Sequence, residues 1–258
     1  MRTVILLFIL VQVIFASTFP KINTWANLAW CPPPDKCHND ALAPTDNLVL
    51  IDLFDQSYLI DSLKLEGTQF ICYFSAGTYE DWRSDKGEFP MGSLYGKMKD
   101  WKGESWIDVT KWEDFKPVMQ ARIDLGVKAG CHGFEFDNVD FYDNEYKKLY
   151  TKELLKKKQI EYNTWLADSV HAKNKFAFLK NAVDLIAKLV DVFDGAINES
   201  CHQYKECDTY LPFTNADKPV LATEYKGKFN KICKKAEKLK FHQLVFDKAH
   251  KGHWKSCP

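Results

Sequence analysis

Two carboxylates, Glu135 and Asp137, stand one residue apart in the run Gly133-Phe134-Glu135-Phe136-Asp137-Asn138-Val139-Asp140. Side chains alternate across a strand, so the two acids share one face and Phe134 and Phe136 take the other. Like charges placed side by side repel, and a fold seldom keeps that arrangement for packing alone. Acid, base and nucleophile chemistry does need such groups, with surroundings that push their pKa values apart. An isolated E-x-D is more often a solvated acidic loop. Here bulky apolar residues flank both acids, which favours a lined pocket.

Elements must hold those acids, and strand-like and helix-like runs alternate along the chain. Buried strands are expected at 24–30, 48–55, 69–77, 133–142, 176–181, 194–199, 219–225 and 241–247. Leu154, Leu155, Tyr162, Leu166 and Val170 recur at helical spacing and predict a long helix over 147–171. Shorter helices are expected over 60–65 and 228–239. Eight such strands with helical material between them fit an α/β fold, a single (β/α)8 TIM barrel. A doubly wound open sheet is the alternative. It usually carries a glycine-rich phosphate loop, and the chain has no G-x-G-x-x-G, P-loop or G-x-S-x-G motif. With no linker-like stretch and no repeat, one domain is expected over 18–258.

Composition narrows the setting. The 258 residues are 46% hydrophobic and 27% charged, which excludes a disordered chain. Formal net charge is zero and argues against a general nucleic-acid binder. A single arginine, an apolar run over 4–16 and the small pair Ala16-Ser17 have the layout of a secretory signal peptide. Residues 1–17 are therefore expected to be removed, leaving a secreted, disulfide-stabilised protein with no membrane anchor. All eight cysteines follow that segment, and an even count in an oxidising compartment favours disulfides. Locality suggests Cys31 with Cys37, Cys201 with Cys207, and Cys233 with Cys257, leaving Cys72 and Cys131. Metal sites from Cys201, His202 and Cys207, or from His250 and His253, lack zinc-finger spacing, and 137–145 lacks the glycine of a calcium loop. No metal and no cofactor are expected.

Active sites of barrels are built at the C-terminal ends of the strands and in the loops that follow. Read there, the chain presents Asp52, Asp55, Glu80, Glu135, Asp137, Asp140, Lys180, Asn181, Glu199 and Glu224. Lysines collect instead over 147–158 and 226–240, so zero net charge hides an acidic mouth and a basic outer ring. A lysine-rich helix surface is usually a solvated face. The loop after the third strand, 76–110, holds Trp82, Trp101 and Trp106. Aromatic planes can stack on sugar rings, and loops this long are usually functional or disordered. The plainer alternative is that some of these tryptophans only pin the loop to the barrel.

Several runs together resemble a known family: Ile51-Asp52-Leu53-Phe54-Asp55, Ile71-Cys72-Tyr73-Phe74-Ser75-Ala76-Gly77, Trp101-Lys102-Gly103-Glu104-Ser105-Trp106, Phe136-Asp137-Asn138-Val139-Asp140, Leu179-Lys180-Asn181 and Asn198-Glu199-Ser200-Cys201. In this order they resemble glycoside hydrolase family 114, the endo-α-1,4-polygalactosaminidases, over about 46–225. The resemblance implies a secreted barrel hydrolase of α-1,4-linked galactosamine-containing polysaccharide; the acidic mouth suits a cationic form of it, and a monomer is expected. By analogy with related retaining barrel α-glycosidases, it implies Asp137 as nucleophile and Glu199 as acid/base. Asp52, Asp55, Glu80, Trp106, Glu135, Asp140, Lys180, Asn181, Glu224 and Tyr225 are then expected to bind substrate. The chain departs from the family at His132, where an aspartate is usual, a change expected at the rim of the site. The alternatives are a secreted carbohydrate-binding protein of the same fold without catalysis, and a metal-dependent hydrolase built on the acidic cluster. Retention of both Asp137 and Glu199 weighs against the first, and a chelator separates the second.

Overall fold

The computed structural model describes residues 19–29, 46–62, 67–144, 147–247 and 254–258. Its first three strands are β1 (Thr24–Asn27), β2 (Asp46–Asp52) and β3 (Gln69–Ser75). A small antiparallel sheet follows, of β4 (Thr78–Glu80), β5 (Leu94–Lys97) and β6 (Glu104–Ile107), in the order β4-β6-β5. The main sheet resumes with β7 (Gly133–Asp137), β8 (Phe176–Lys180), β9 (Gly195–Glu199), β10 (Val220–Glu224), β11 (His242–Phe246) and β12 (Trp254–Ser256). Its order is β1-β2-β3-β7-β8-β9-β10-β11-β12, parallel throughout except for antiparallel β12. All eight expected strands are present. The ninth, on the outer edge of β11, and the small sheet within 76–110 are additions that the alternation of long buried runs does not reveal.

Strand parity explains why this sheet curls into a barrel. Leu48 and Leu50 face inward with Ile71, Phe178, Ile197, Leu221 and Leu244, and this set fills the interior. Their neighbours Val49, Ile51, Cys72, Phe134, Phe136 and Ala222 face outward against the helices. Each large apolar side chain so buried contributes about 1.5–3 kcal/mol. The barrel is nearly closed, with the Trp25 indole on β1 donating to the His242 carbonyl on β11 at 3.0 Å. Phe19 packs edge-on against Phe176 and Phe178, with centroids 4.9 and 5.0 Å away, below that interior layer.

Helices cover the outward face. Trp112–Ala129 runs between the small sheet and β7 and ends at Gly130, whose φ of 98° is the left-handed stop a glycine adopts freely. Lys152–His171 starts five residues later than its periodicity suggests, because the Thr151 side chain caps it by accepting from the Leu154 N–H at 3.2 Å. Phe229–Leu239 agrees with expectation, as does Leu59–Ser62 within the described residues. No described helix is long and apolar enough to cross a membrane. The expected signal peptide lies outside the described residues, as do Cys31 and Cys37.

The disulfides Cys201–Cys207 and Cys233–Cys257 form as locality suggests. Cys72 on β3 joins Cys131 just before β7, across a separation of 59 residues. That crosslink staples β3 to the start of β7, the strand that carries Glu135 and Asp137, around the whole of the small sheet and its following helix. Closing so long a loop restricts the unfolded chain by about 4 kcal/mol. Replacing both Cys72 and Cys131 by alanine is expected to lower unfolding free energy by that order in a denaturant titration. The Cys201→Ala/Cys207→Ala pair, closing a short loop, should cost less.

Candidate active site

The top of the barrel is where inward-facing positions change from apolar to charged. Two residues beyond Ile71 lies Tyr73; two beyond Gly133 and Phe178 lie Glu135 and Lys180; two beyond Ile197 lies Glu199. Parity therefore brings these side chains into one layer. The ends of β3 and β7 are locked together above it. The Ala76 and Gly77 N–H groups both donate to the Asp137 carbonyl, at 2.9 and 3.1 Å. A Cβ on Gly77 would stand 1.6 Å from the Asn138 carbonyl oxygen, so this crossing admits glycine alone. Asn138 takes a left-handed φ of 60° and donates through Nδ2 to Ser75 Oγ at 2.9 Å. Asp137 leaves the strand at a fixed angle as a result.

Lys180 sits at the centre. Its ammonium, 3% exposed, lies 3.1 Å from Glu135, 3.2 Å from Asp137 and 3.6 Å from Glu199. Burial alone would discharge such a lysine. The fields of Asp137, Glu199 and Glu135 more than offset it and hold the ammonium well above the usual lysine range. Glu135 is buried, which pushes its carboxyl to about 7; Lys180 opposes the shift while Asp137 and Glu199 add to it. Its second oxygen, Oε2, is buried with no hydrogen-bond partner. Tyr73 donates to Asp137 Oδ2 at 3.2 Å, and burial together with Asp137 raises its phenol well above the normal value, keeping it a donor. On the other side, Tyr225 donates to Glu199 Oε1 at 2.6 Å. Asn181 Oδ1 accepts from the Glu199 N–H at 3.0 Å and fixes the backbone there.

A second charged knot binds the small sheet to the barrel. Glu80 and Glu104 oppose each other directly in the β4–β6 pairing, an arrangement that repels. Arg83 answers it, reaching Glu80 at 3.0 Å, Asp52 at 2.6 Å and Asp55 at 3.0 Å. Arg122, on the helix behind, grips Asp85 at 2.7 Å and donates to the Ser75 carbonyl at 2.7 Å. Burial still pushes the Glu80 carboxyl to about 7 despite both arginines.

Together these groups line a cavity of about 450 Å³ that includes Asp52, Glu80, Arg83, Glu104, Glu135, Asp137, Asn138, Lys180, Asn181, Glu199 and Tyr225, with Trp82 and Trp101 at its edge. The structure thus gathers eight of the twelve residues expected at the site: Asp52, Glu80, Glu135, Asp137, Lys180, Asn181, Glu199 and Tyr225. Four lie elsewhere. Trp106 is buried against Phe141, with ring centroids 6.0 Å apart, and pins the small sheet to the barrel, while the exposed Trp82 and Trp101 take the place expected for it. Glu224 has outward parity, opposite to Thr223 and Tyr225, and accepts from the His202 N–H behind the sheet. Asp140 starts the short helix Phe141–Asn144 outside the cavity, and Asp55 turns to solvent beyond Arg83. His132 sits at the opposite end of β7 from the site, where its Nδ1 accepts from the Phe70 N–H at 3.1 Å.

Tyr73, Arg83, Glu104 and Asn138 were not anticipated. Alternation from Ile71 points to Tyr73, and the left-handed preference of asparagine after a strand points to Asn138. Only Glu80, three residues earlier, is a local partner of Arg83; the two aspartates that tie it to the barrel lie 28 and 31 residues earlier in the chain. Cys201 and Cys207 are bonded to each other, which removes both thiolates from a metal set with His202. His250 and His253 lie outside the described residues.

Asn198, in the chain's single N-x-S/T sequence, is fully buried; its amide donates to Tyr210 at 2.8 Å, and its oxygen accepts from the Cys201 N–H at 3.0 Å. A glycan would destroy both contacts one residue from Glu199. Intact mass of folded protein from a eukaryotic secretory host is expected to show Asn198 unoccupied; full occupancy in active protein would contradict this placement.

The model of glycoside-hydrolase family GH114 matches residues 21–258. The crystal structure of Aspergillus fumigatus Ega3 in complex with galactosamine superposes with a TM-score of 0.76 at 30% identity, covering 91% of this chain and 94% of that one. The glycoside hydrolase domain of PelA from Pseudomonas aeruginosa shares the fold, with a TM-score of 0.70 at 12% identity over 92% of this chain and 99% of its own. No curated protein sequence matches the chain. A family match spanning the whole barrel, on a site floored by opposed carboxylates, makes this chain a member of glycoside hydrolase family 114 and a glycosidase.

Proposed function

We propose that the protein is a secreted retaining glycosidase that cleaves α-1,4-linked galactosamine-containing polysaccharide, with Asp137 as nucleophile and Glu199 as acid/base. The observation that carries this reading is the single ammonium of Lys180 in reach of both carboxylates, at 3.2 and 3.6 Å, across the cavity floor. Retaining chemistry needs two carboxyl groups about 5 Å apart, one attacking the anomeric carbon while the other protonates the departing oxygen. Tyr73, Lys180 and the Asn138 N–H, at 2.8 Å, aim Asp137. Tyr225 donates to Glu199 Oε1 and the Lys180 ammonium faces Oε2 at 3.6 Å, which holds the carboxyl group where it would pass a proton to the leaving group and take one back from water. Trp82 and Trp101, exposed at the edge, offer planes on which further sugar rings can stack. Ega3 holds galactosamine in its crystal structure, which supports the same sugar here.

Glu199→Gln is expected to lower turnover by about 10²–10⁴-fold, and Asp137→Asn by at least as much, with polymer binding and melting temperature retained. Glu135→Gln should lose less. Products measured by mass from α-1,4-galactosaminogalactan test this. Near-wild-type turnover in either of the first two variants would sink the assignment.

Charge should select the polymer. Six carboxyl groups and two cations line the cavity, so its potential is negative even after Arg83 and Lys180 are counted. Such a cleft concentrates cations. Partly deacetylated polymer, carrying ammonium groups, is therefore expected to be cut faster than fully acetylated polymer. Its rate at low substrate should fall with salt, as the Debye length shrinks from about 30 Å at 0.01 M to about 8 Å at 0.15 M. Equal, salt-independent rates on both would assign the acids to chemistry and fold alone.

A further inference from the structure

The two lysine-rich helices are not alike. On Lys152–His171 three of the four lysine charges are answered: Lys152 meets Asp143 at 2.7 Å, Lys156 meets Asp184 at 2.6 Å and Lys158 meets Glu161 at 3.0 Å. On Phe229–Leu239 they are not. Lys231, Lys234, Lys235 and Lys238 recur at intervals of three and four and so share one face. Only Lys235 has a carboxylate partner among the described residues, Asp208 at 3.2 Å.

Two adjoining hollows follow this face. The upper, of about 570 Å³, is lined by Lys205, Lys226, Lys228, Lys231 and Lys235 with His202 and Gln203, and no carboxylate lines it. The lower, of about 380 Å³, shares Lys231 and Lys235 and adds Lys234, Lys238 and the lone acid Asp208. From Lys231 to Lys238 the row extends about 10 Å along the helix, and Lys226 carries it to the rim, next to Tyr225 of the active site. Seven lysines against one acid is a costly concentration of like charge on a protein whose net charge is zero. A solvated face would be expected to intersperse its signs, as Lys152–His171 does.

We propose that this groove is a binding site for an anionic polysaccharide, carboxylated or sulfated, separate from the catalytic cavity. The choice among polyanions follows from the lining. It contains lysine and no arginine, so it offers point charges and not the bidentate forks suited to phosphate. It contains no Phe, Tyr or Trp for stacking bases, which single-stranded nucleic acid uses, and its one ring, His202, is engaged with Gln243 at 3.2 Å. Its apolar members, Ile232 and Leu239, are buried and cannot enter a bilayer. A flexible chain of spaced negative charges, bound weakly at each lysine, suits it best. Such a site would hold the enzyme on a matrix in which polyanions retain a cationic polymer, with the cavity facing the same rim.

The test compares Lys231→Gln/Lys234→Gln/Lys235→Gln with Lys152→Gln/Lys156→Gln/Lys158→Gln, which removes the same charge from the other helix. Binding of fluorescein-labelled heparin hexasaccharide and of polygalacturonate fragments would be followed by anisotropy at 0.15 M salt. Expected are binding of both ligands by wild type, at least a tenfold weaker Kd in the first triple variant, and an unchanged Kd in the second. Asp137→Asn should bind as wild type does, so the catalytic assignment can fail without touching this result. Because the acidic cavity repels polygalacturonate, its binding reports the lysine groove. No binding by wild type, or equal loss in both triple variants, would overturn the proposal. Tighter binding of a single-stranded DNA 12-mer than of either saccharide would overturn it in favour of nucleic acid.

Discussion

Three carboxylates converge on one buried ammonium at the top of the barrel, and most of the site's geometry follows from that convergence. Barrel closure forces inward residues of neighbouring strands toward a common axis, so Glu135, Asp137 and Glu199 cannot separate without opening the sheet. Lys180 is the only cation within their reach among the described residues, at 3.1 to 3.6 Å. Removing that one cation would leave the carboxylates uncompensated, at a cost of about 3–5 kcal/mol. Lys180 is thus a structural requirement of the acids before it is anything to a substrate. The interior layer beneath, with Ile71, Phe178 and Ile197, keeps water from the floor and makes each charge above it count for more.

The small sheet depends on the same logic at a second centre. Its pairing sets Glu80 against Glu104, which would separate the strands if left alone. Arg83 resolves this by bridging Glu80 to Asp52 on β2, so the repulsion inside the insertion becomes attraction between insertion and barrel. Arg83 also lies over the Phe54 ring at 4.8 Å, and Arg122 covers the same ring at 5.0 Å. Trp82 adjoins Arg83 in sequence, so the knot that fastens the insertion also places an aromatic plane at the edge of the cavity.

Strand parity separates what could be read from the residues alone from what could not. Parity placed Glu135 with Asp137 and set Phe134 and Phe136 behind them, and the eight buried runs announced the barrel. Applied to β10, the same rule would have excluded Glu224, whose neighbours Thr223 and Tyr225 are the inward pair. Strand-end position was a weaker guide than facing, because it admits every acid near a turn, Asp55 and Asp140 included. The tryptophans were the least legible. Nothing in composition distinguishes Trp106, on the buried side of β6, from Trp82 and Trp101, since the register of a short antiparallel sheet inside a long loop has no local signature. Arg83 was invisible for a related reason, as its role exists only after two distant segments meet.

The acidity of the mouth is itself conditional. Burial holds Glu80 and Glu135 near 7, with Arg83 in the first case and Lys180 in the second pulling them back down. Below neutrality both carboxyls carry protons and the cavity loses much of its negative charge. Above it they ionise and the attraction for a cation grows. The sugar ammonium of the proposed galactosamine polymer runs the other way, shedding its proton as pH climbs. The product of the two charges is therefore largest in a window around neutral pH and declines on both sides. In the acid limb the enzyme's groups titrate; in the alkaline limb the substrate's do.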